Sequence, residues 1–129
     1  MANTPAPQSA LIGLRRIWRA LVFSMHGLRA ACKSEAAFRQ ELALAAILTP
    51  IALWLPATLT QKALLIACTI LVLIVELLNS AIEATVDRIS LERHELAKRA
   101  KDIGSAAVLL ALANLTLVWG MILFEIWSG

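Results

Sequence analysis

Residues 103–124, IGSAAVLLALANLTLVWGMILF, hold no charged side chain, and no other feature restricts the fold more. In hydrocarbon every peptide N–H and C=O must find its partner inside the protein, which a single spanning segment achieves only as an α-helix. At 1.5 Å per residue the run is about 33 Å long, enough to cross a bilayer core. Residues 42–59, LALAAILTPIALWLPATL, make another span when a flank joins them, and Pro50 predicts a kink and Pro56 an end. Residues 63–75, ALLIACTILVLIV, open a further span that continues to Ile82. Of the 129 residues, 60% are hydrophobic, far above the usual share in a soluble domain. The chain therefore reads as one all-α membrane domain over 1–129, with spans at about 36–56, 62–87 and 102–126.

The charges orient it. Arg15, Arg16, Arg19, Arg29, Lys33 and Arg39 precede the first span, and Arg88, Arg93, Lys98, Arg99 and Lys101 follow the second, whereas Lys62 alone marks the short loop between them. Cytoplasmic flanks are enriched in Lys and Arg, so the N-terminus and the 88–101 connection are expected in the cytoplasm and the C-terminus outside. Residues 1–10 read as a disordered tail. Over about 11–33, Leu14, Ile17, Trp18, Leu21, Val22, Met25 and Leu28 share one helical face and Arg15, Arg16, Arg19 and His26 another, the pattern of an amphipathic helix lying on the membrane surface. Gly27 is a place for it to bend. Arginines interrupt the apolar residues and no small-residue cleavage site follows them, which argues against a signal peptide. The two cysteines, Cys32 and Cys68, suggest neither a disulfide framework nor a zinc site.

The second span ends unusually. In VELLNSAIEATVD, residues 75–87, Glu76, Asn79, Ser80, Glu83 and Asp87 fall within an arc of about 100°. A charged side chain deep in a span costs about 2.5–3.5 kcal/mol on insertion scales. Such a stripe is either a set of hydrogen-bonded carboxyls in a helix interface or a site of chemistry. Glu83 lies near the expected cytoplasmic boundary and Glu76 about 10 Å deeper. A dissolved anion can therefore reach the upper carboxylate and a lipid head-group hydroxyl the lower. Glu35, Arg39, Gln40 and Glu41 before span one, and Lys101, Asp102, Gly104 and Ser105 at the start of span three, converge on the same level. Carboxylates of this kind suit magnesium, which keeps waters and substrate phosphates in its shell. The nucleotide motifs of soluble folds, G-x-x-x-x-G-K-[ST] and G-x-G-x-x-G, do not occur.

Several strings are more specific. SEAAFRQE at 34–41, IVELLNSAIEATVDRI at 74–89, HELAKRAKDIGSAAVL at 94–109 and the basic entry HGLRAACKSEAAF closely resemble the bacterial integral-membrane diacylglycerol kinases. The resemblance implies a surface helix plus three transmembrane helices, a homotrimer with active sites between subunits, and residence in the bacterial inner membrane. It also implies transfer of phosphate from ATP to diacylglycerol with Mg²⁺ as cofactor, giving phosphatidic acid. Carried over by motif, the general base is Glu76, the magnesium ligands are Glu35 and Glu83, and Asn79 and Lys101 assist catalysis. Nucleotide contacts fall on Arg16, Phe23, Glu35, Glu83, Glu92, Arg93, His94, Lys101 and Asp102. Phe23 stands where an aromatic hydroxyl is usual in the family. Lipid contacts fall on Arg29, Arg39, Gln40, Trp54, Glu76 and Ser105. Two alternatives stay open: an undecaprenol kinase and, from another class, a small proton-coupled transporter that uses Glu76 alone.

Overall fold

The computed structural model describes residues 7–89, 92 and 94–129, and they form the helices α1 (Pro7–Ser34), α2 (Ala36–Trp54), α3 (Leu59–Ile89) and α4 (Glu95–Ser128). Helices α2, α3 and α4 are long and apolar enough to cross a membrane. Helix α1 begins inside the stretch expected to be a disordered tail. Proline is well placed at a first helical position because its missing N–H has no partner there anyway, so Pro7 starts the helix, and residues 1–6 lie outside the described residues. It also runs through Gly27 without interruption, because one glycine costs a helix interior only about 1 kcal/mol. Glu35 alone separates α1 from α2, its backbone extended at φ −109° and ψ 109°.

The Arg39 side chain fastens this corner. Its guanidinium donates to the Cys32 and Lys33 carbonyls at 2.9 and 3.2 Å, which are acceptors left over at the end of α1. Pro50 lies within α2, and Pro56 follows two residues after its end. A reciprocal capping box opens α3: the Thr58 N–H donates to Gln61 Oε1 at 2.9 Å, and the Gln61 N–H to Thr58 Oγ1 at 3.2 Å. His94 caps α4, its Nδ1 accepting the Leu96 N–H at 3.1 Å. The cap starts α4 at Glu95, two turns before the apolar run does.

Helix α3 is the centre of the bundle, packing most extensively on α4 and then on α2, while α1 packs against α2. The core joins Ala52 and Leu55 to Leu65, Cys68 and Val72 of α3 and to Ala111, Leu115, Trp119 and Ile122 of α4. Small residues at these contacts let the helices approach closely, the main source of association where lipid is as apolar as leucine. At that end Lys62 Nζ donates to the Leu53 carbonyl at 2.8 Å and Gln61 Nε2 to Glu125 Oε2 at 2.7 Å. Outward-facing Leu71, Leu78, Leu109, Leu117 and Phe124 are exposed, as a surface against acyl chains requires.

Candidate active site

The inward face of α3 changes character halfway along. Leu65, Cys68, Thr69 and Val72 lie on one line of the helix, and Glu76, Asn79, Ser80 and Glu83 continue it within an arc of about 120°. The helical period that builds the core thus carries a polar stripe into the same interface. Glu76 is only 4% exposed, Asn79, Ser80 and Glu83 are half-buried, and Asp87 emerges at the end of the stripe.

Other elements bring charges to it. The carboxylates of Glu83 and Glu35 both act electrostatically on Glu76, and Glu76 acts on Glu41 of α2. The helix corner and two helices therefore contribute to one acidic cluster. Helix α4 adds Lys101, which pairs with Asp87 and feels the charge of Glu83. Among the described residues, no group of three His, Cys, Asp or Glu side chains gathers closely enough to hold a metal ion. A pair such as Glu35 and Glu83 matches what magnesium takes when it arrives with waters and phosphate oxygens. In the free chain Glu41 Oε2, Asn79 Oδ1 and Ser80 Oγ are buried without a hydrogen-bond partner.

The remaining predicted residues are distributed unevenly. Successive residues of a helix point about 100° apart. Lys101 accordingly faces α3, whereas Asp102 is turned outward and pairs with Lys98 at 2.7 Å. Arg39 is engaged at the α1–α2 corner and His94 in its cap. Gln40, Glu92 and Ser105 are exposed, as are Arg16, Phe23 and Arg29 along α1. Arg93 lies outside the described residues. Trp54 is 84% exposed at the far end of α2, about 27 Å from its start, so one chain does not bring it to the acidic cluster.

Three members of the site are placed at its level by the sequence but given no role by the resemblance: Glu41 and Ser80, which hold unpartnered oxygens, and Gly104, against which Asn79 packs. A signal for Glu41 existed. Phe38, Glu41, Ala45 and Ala52 share an arc of about 60° on α2, and the other three are buried, so Glu41 had to face inward.

Membrane-length helices with carboxylates from separate elements gathered at one end define an integral membrane protein with an acidic centre, a design open to enzymes and ion-coupled carriers alike. Sequence relatives choose between them. The family model for prokaryotic diacylglycerol kinase matches residues 22–123, which include Glu35, Glu41, Glu76, Asn79, Glu83 and Lys101. A diacylglycerol kinase of Pseudomonas aeruginosa is 52% identical over 120 residues, covering 93% of this chain and 98% of its own. The Escherichia coli diacylglycerol kinase is 51% identical over 113 residues, covering 88% and 93%. One from Helicobacter pylori is 42% identical over 127 residues, covering 98% of each. The chain belongs to the prokaryotic diacylglycerol kinase family, and it is an enzyme of the kinase class.

Proposed function

We propose that the protein transfers the γ-phosphoryl group of ATP to the free hydroxyl of diacylglycerol, giving phosphatidic acid and ADP, at the cytoplasmic boundary of the bacterial inner membrane. The observation that carries this reading is the cluster of Glu35, Glu41, Glu76 and Glu83 at one end of the bundle, in a chain whose relatives are named for this activity. Phosphoryl transfer asks mainly for positioning and for neutralisation of charge. Glu76, enclosed at the deepest point of the stripe, takes the proton of the lipid hydroxyl as general base. The hydroxyl oxygen then bonds to the γ-phosphorus, and the bond from that phosphorus to the β–γ bridging oxygen breaks, leaving ADP. Glu35 and Glu83 hold Mg²⁺, which when bound neutralises phosphate charge. Lys101 exchanges Asp87 for the triphosphate, and Asn79 lines the path between Glu76 and Glu83.

Support for a membrane-surface position of α1 comes from its exposed Leu14, Ile17, Trp18 and Leu21 beside exposed arginines. The polar stripe, whose Glu83 is only half-buried and whose Asp87 is exposed in one chain, supports a homotrimer in which neighbouring chains complete each site. The basic flanks support a cytoplasmic N-terminus and a periplasmic C-terminus. The test is transfer of label from [γ-³²P]ATP to defined lipids by purified protein in mixed micelles. Labelled phosphatidic acid that requires magnesium is expected. Preferential labelling of undecaprenol in a mixture of the two lipids would reassign the substrate, and proton-driven flux with no labelled lipid would replace the kinase reading.

A further inference from the structure

Gly104 is buried against the polar stripe, and it differs from the other described glycines in what its missing side chain leaves room for. A Cβ built at Gly13, Gly27 or Gly120 meets nothing within 4 Å. At Gly104 it would collide with Asn79 Oδ1, while its next neighbours, Asn79 Cγ at 3.4 Å and Ile82 Cδ1 at 3.9 Å, stay at ordinary contact. The helices would accept a methyl group here; the carboxamide would not. That same Oδ1 is buried and has no hydrogen-bond partner. An amide held in such a place gains nothing for the free chain, and it sits one turn from both Glu76 and Glu83.

We infer that Gly104 is a positioning residue for the phosphoryl transfer proposed above: by leaving no Cβ on α4, it lets the Asn79 carboxamide turn its oxygen towards α4 at the level between Glu76 and Glu83. The inference rests on that functional reading. It makes Gly104 more than a small residue that brings two helices together, because the packing role would be met equally well by alanine. With a methyl group at 104 the amide swings off the stripe, the two carboxylates stay, and the reacting groups lose their alignment rather than their affinity.

The Gly104→Ala variant tests this in the full-length protein in micelles. Misplacement by about 1 Å can cost on the order of 100-fold in rate, so kcat should fall by at least about tenfold, with the KM for ATP and for diacylglycerol within about twofold and the melting temperature preserved. Because the effect acts through Asn79, Gly104→Ala should cost less than about twofold more in an Asn79→Ser background, the non-additivity of coupled residues. A direct readout covers the case in which Asn79→Ser is too slow to measure. The chain has three asparagines, Asn3, Asn79 and Asn114, so [¹⁵N]Asn labelling gives few side-chain amide signals, and the Asn79 pair alone should shift in Gly104→Ala. Wild-type turnover in Gly104→Ala, an unshifted Asn79 signal, or losses that multiply in the double variant would each overturn the inference. Absence of lipid phosphorylation by the wild-type protein would instead remove the parent reading, and the amide signal would still report whether Gly104 seats Asn79.

Discussion

The two ends of the bundle share α3 as their central helix and the same inward-facing line of residues, yet they treat polar groups in opposite ways. At the Trp119 end, Thr69 Oγ1 donates to the Leu65 carbonyl at 2.7 Å and accepts from the Trp119 indole N–H at 3.4 Å. Gln61, Lys62 and Glu125 tie the helix ends together there. At the Glu76 end, Glu41, Asn79 and Ser80 each keep a buried oxygen without a partner, and carboxylates crowd one another. A buried unsatisfied polar group costs about 1–3 kcal/mol. One half of the interface is finished for stability, whereas the other keeps polar groups unpaired, which under the proposed function are left for partners that arrive with the substrates. On that reading the crowded, unpaired polar groups at one end of this helix are the working end, and the dry core at the other end supports it.

That contrast breaks most visibly at Glu76. Glu76→Gln should lose roughly 10²- to 10⁴-fold of lipid-dependent ATP turnover, the usual contribution of a general base, and should melt at or above the wild-type temperature because a crowded carboxylate is removed. A loss of both turnover and stability would show that Glu76 belongs to the structural half. Glu35→Gln and Glu83→Gln come next. Each should raise the magnesium concentration needed for half-maximal rate by at least about tenfold, so titration of magnesium at fixed ATP separates them from Glu76→Gln, whose loss no added metal recovers.

At the other end the signs reverse. Leu65→Ala removes a fully buried side chain and should cost about 2–5 kcal/mol of stability, read as a lower melting temperature, with turnover per folded molecule unchanged at low temperature. The smallest effect belongs to Trp119→Phe, which gives up a hydrogen bond to Thr69 that is long at 3.4 Å. Such bonds inside membrane proteins average about 0.6 kcal/mol, and the smaller ring leaves a cavity in the core that adds about 1 kcal/mol, so a drop in melting temperature smaller than that of Leu65→Ala is expected. A Trp119→Phe variant that keeps its stability and loses turnover would place chemistry in the half assigned to packing.

How much of this could be read without coordinates follows from which interactions are local. The three spans are written in uncharged runs, because the bilayer imposes length and apolarity one segment at a time. Glu76, Asn79 and Glu83 are legible for the same reason, since one helix's periodicity aligns them. The early start of α4 is set by the His94 cap, a contact of two residues hidden beside a stronger hydropathy signal. Glu41 is placed at the level of the site together with Glu35, but the resemblance gives it no role, and only the buried face it shares with Phe38 and Ala45 turns it inward. The fit of Asn79 on Gly104 and the pairing of Lys101 with Asp87 depend on the register between α3 and α4, which no single segment encodes. Trp54 illustrates the reverse: the resemblance assigns it to the lipid, and its place at the far end of α2 keeps it a span's length from the acidic cluster.

The most direct measurement asks where a metal nucleotide sits. With Mn²⁺ in place of Mg²⁺ and ADP as ligand, the paramagnetic ion broadens nearby NMR signals of the labelled protein. Binding at the Glu76 end should erase the Asn79 side-chain amide signal and leave the Trp127 indole N–H, about 35 Å further along α4 from Gly104, sharp. A sharp Asn79 signal at saturating Mn·ADP, or a Trp127 signal that disappears with it, would contradict the account.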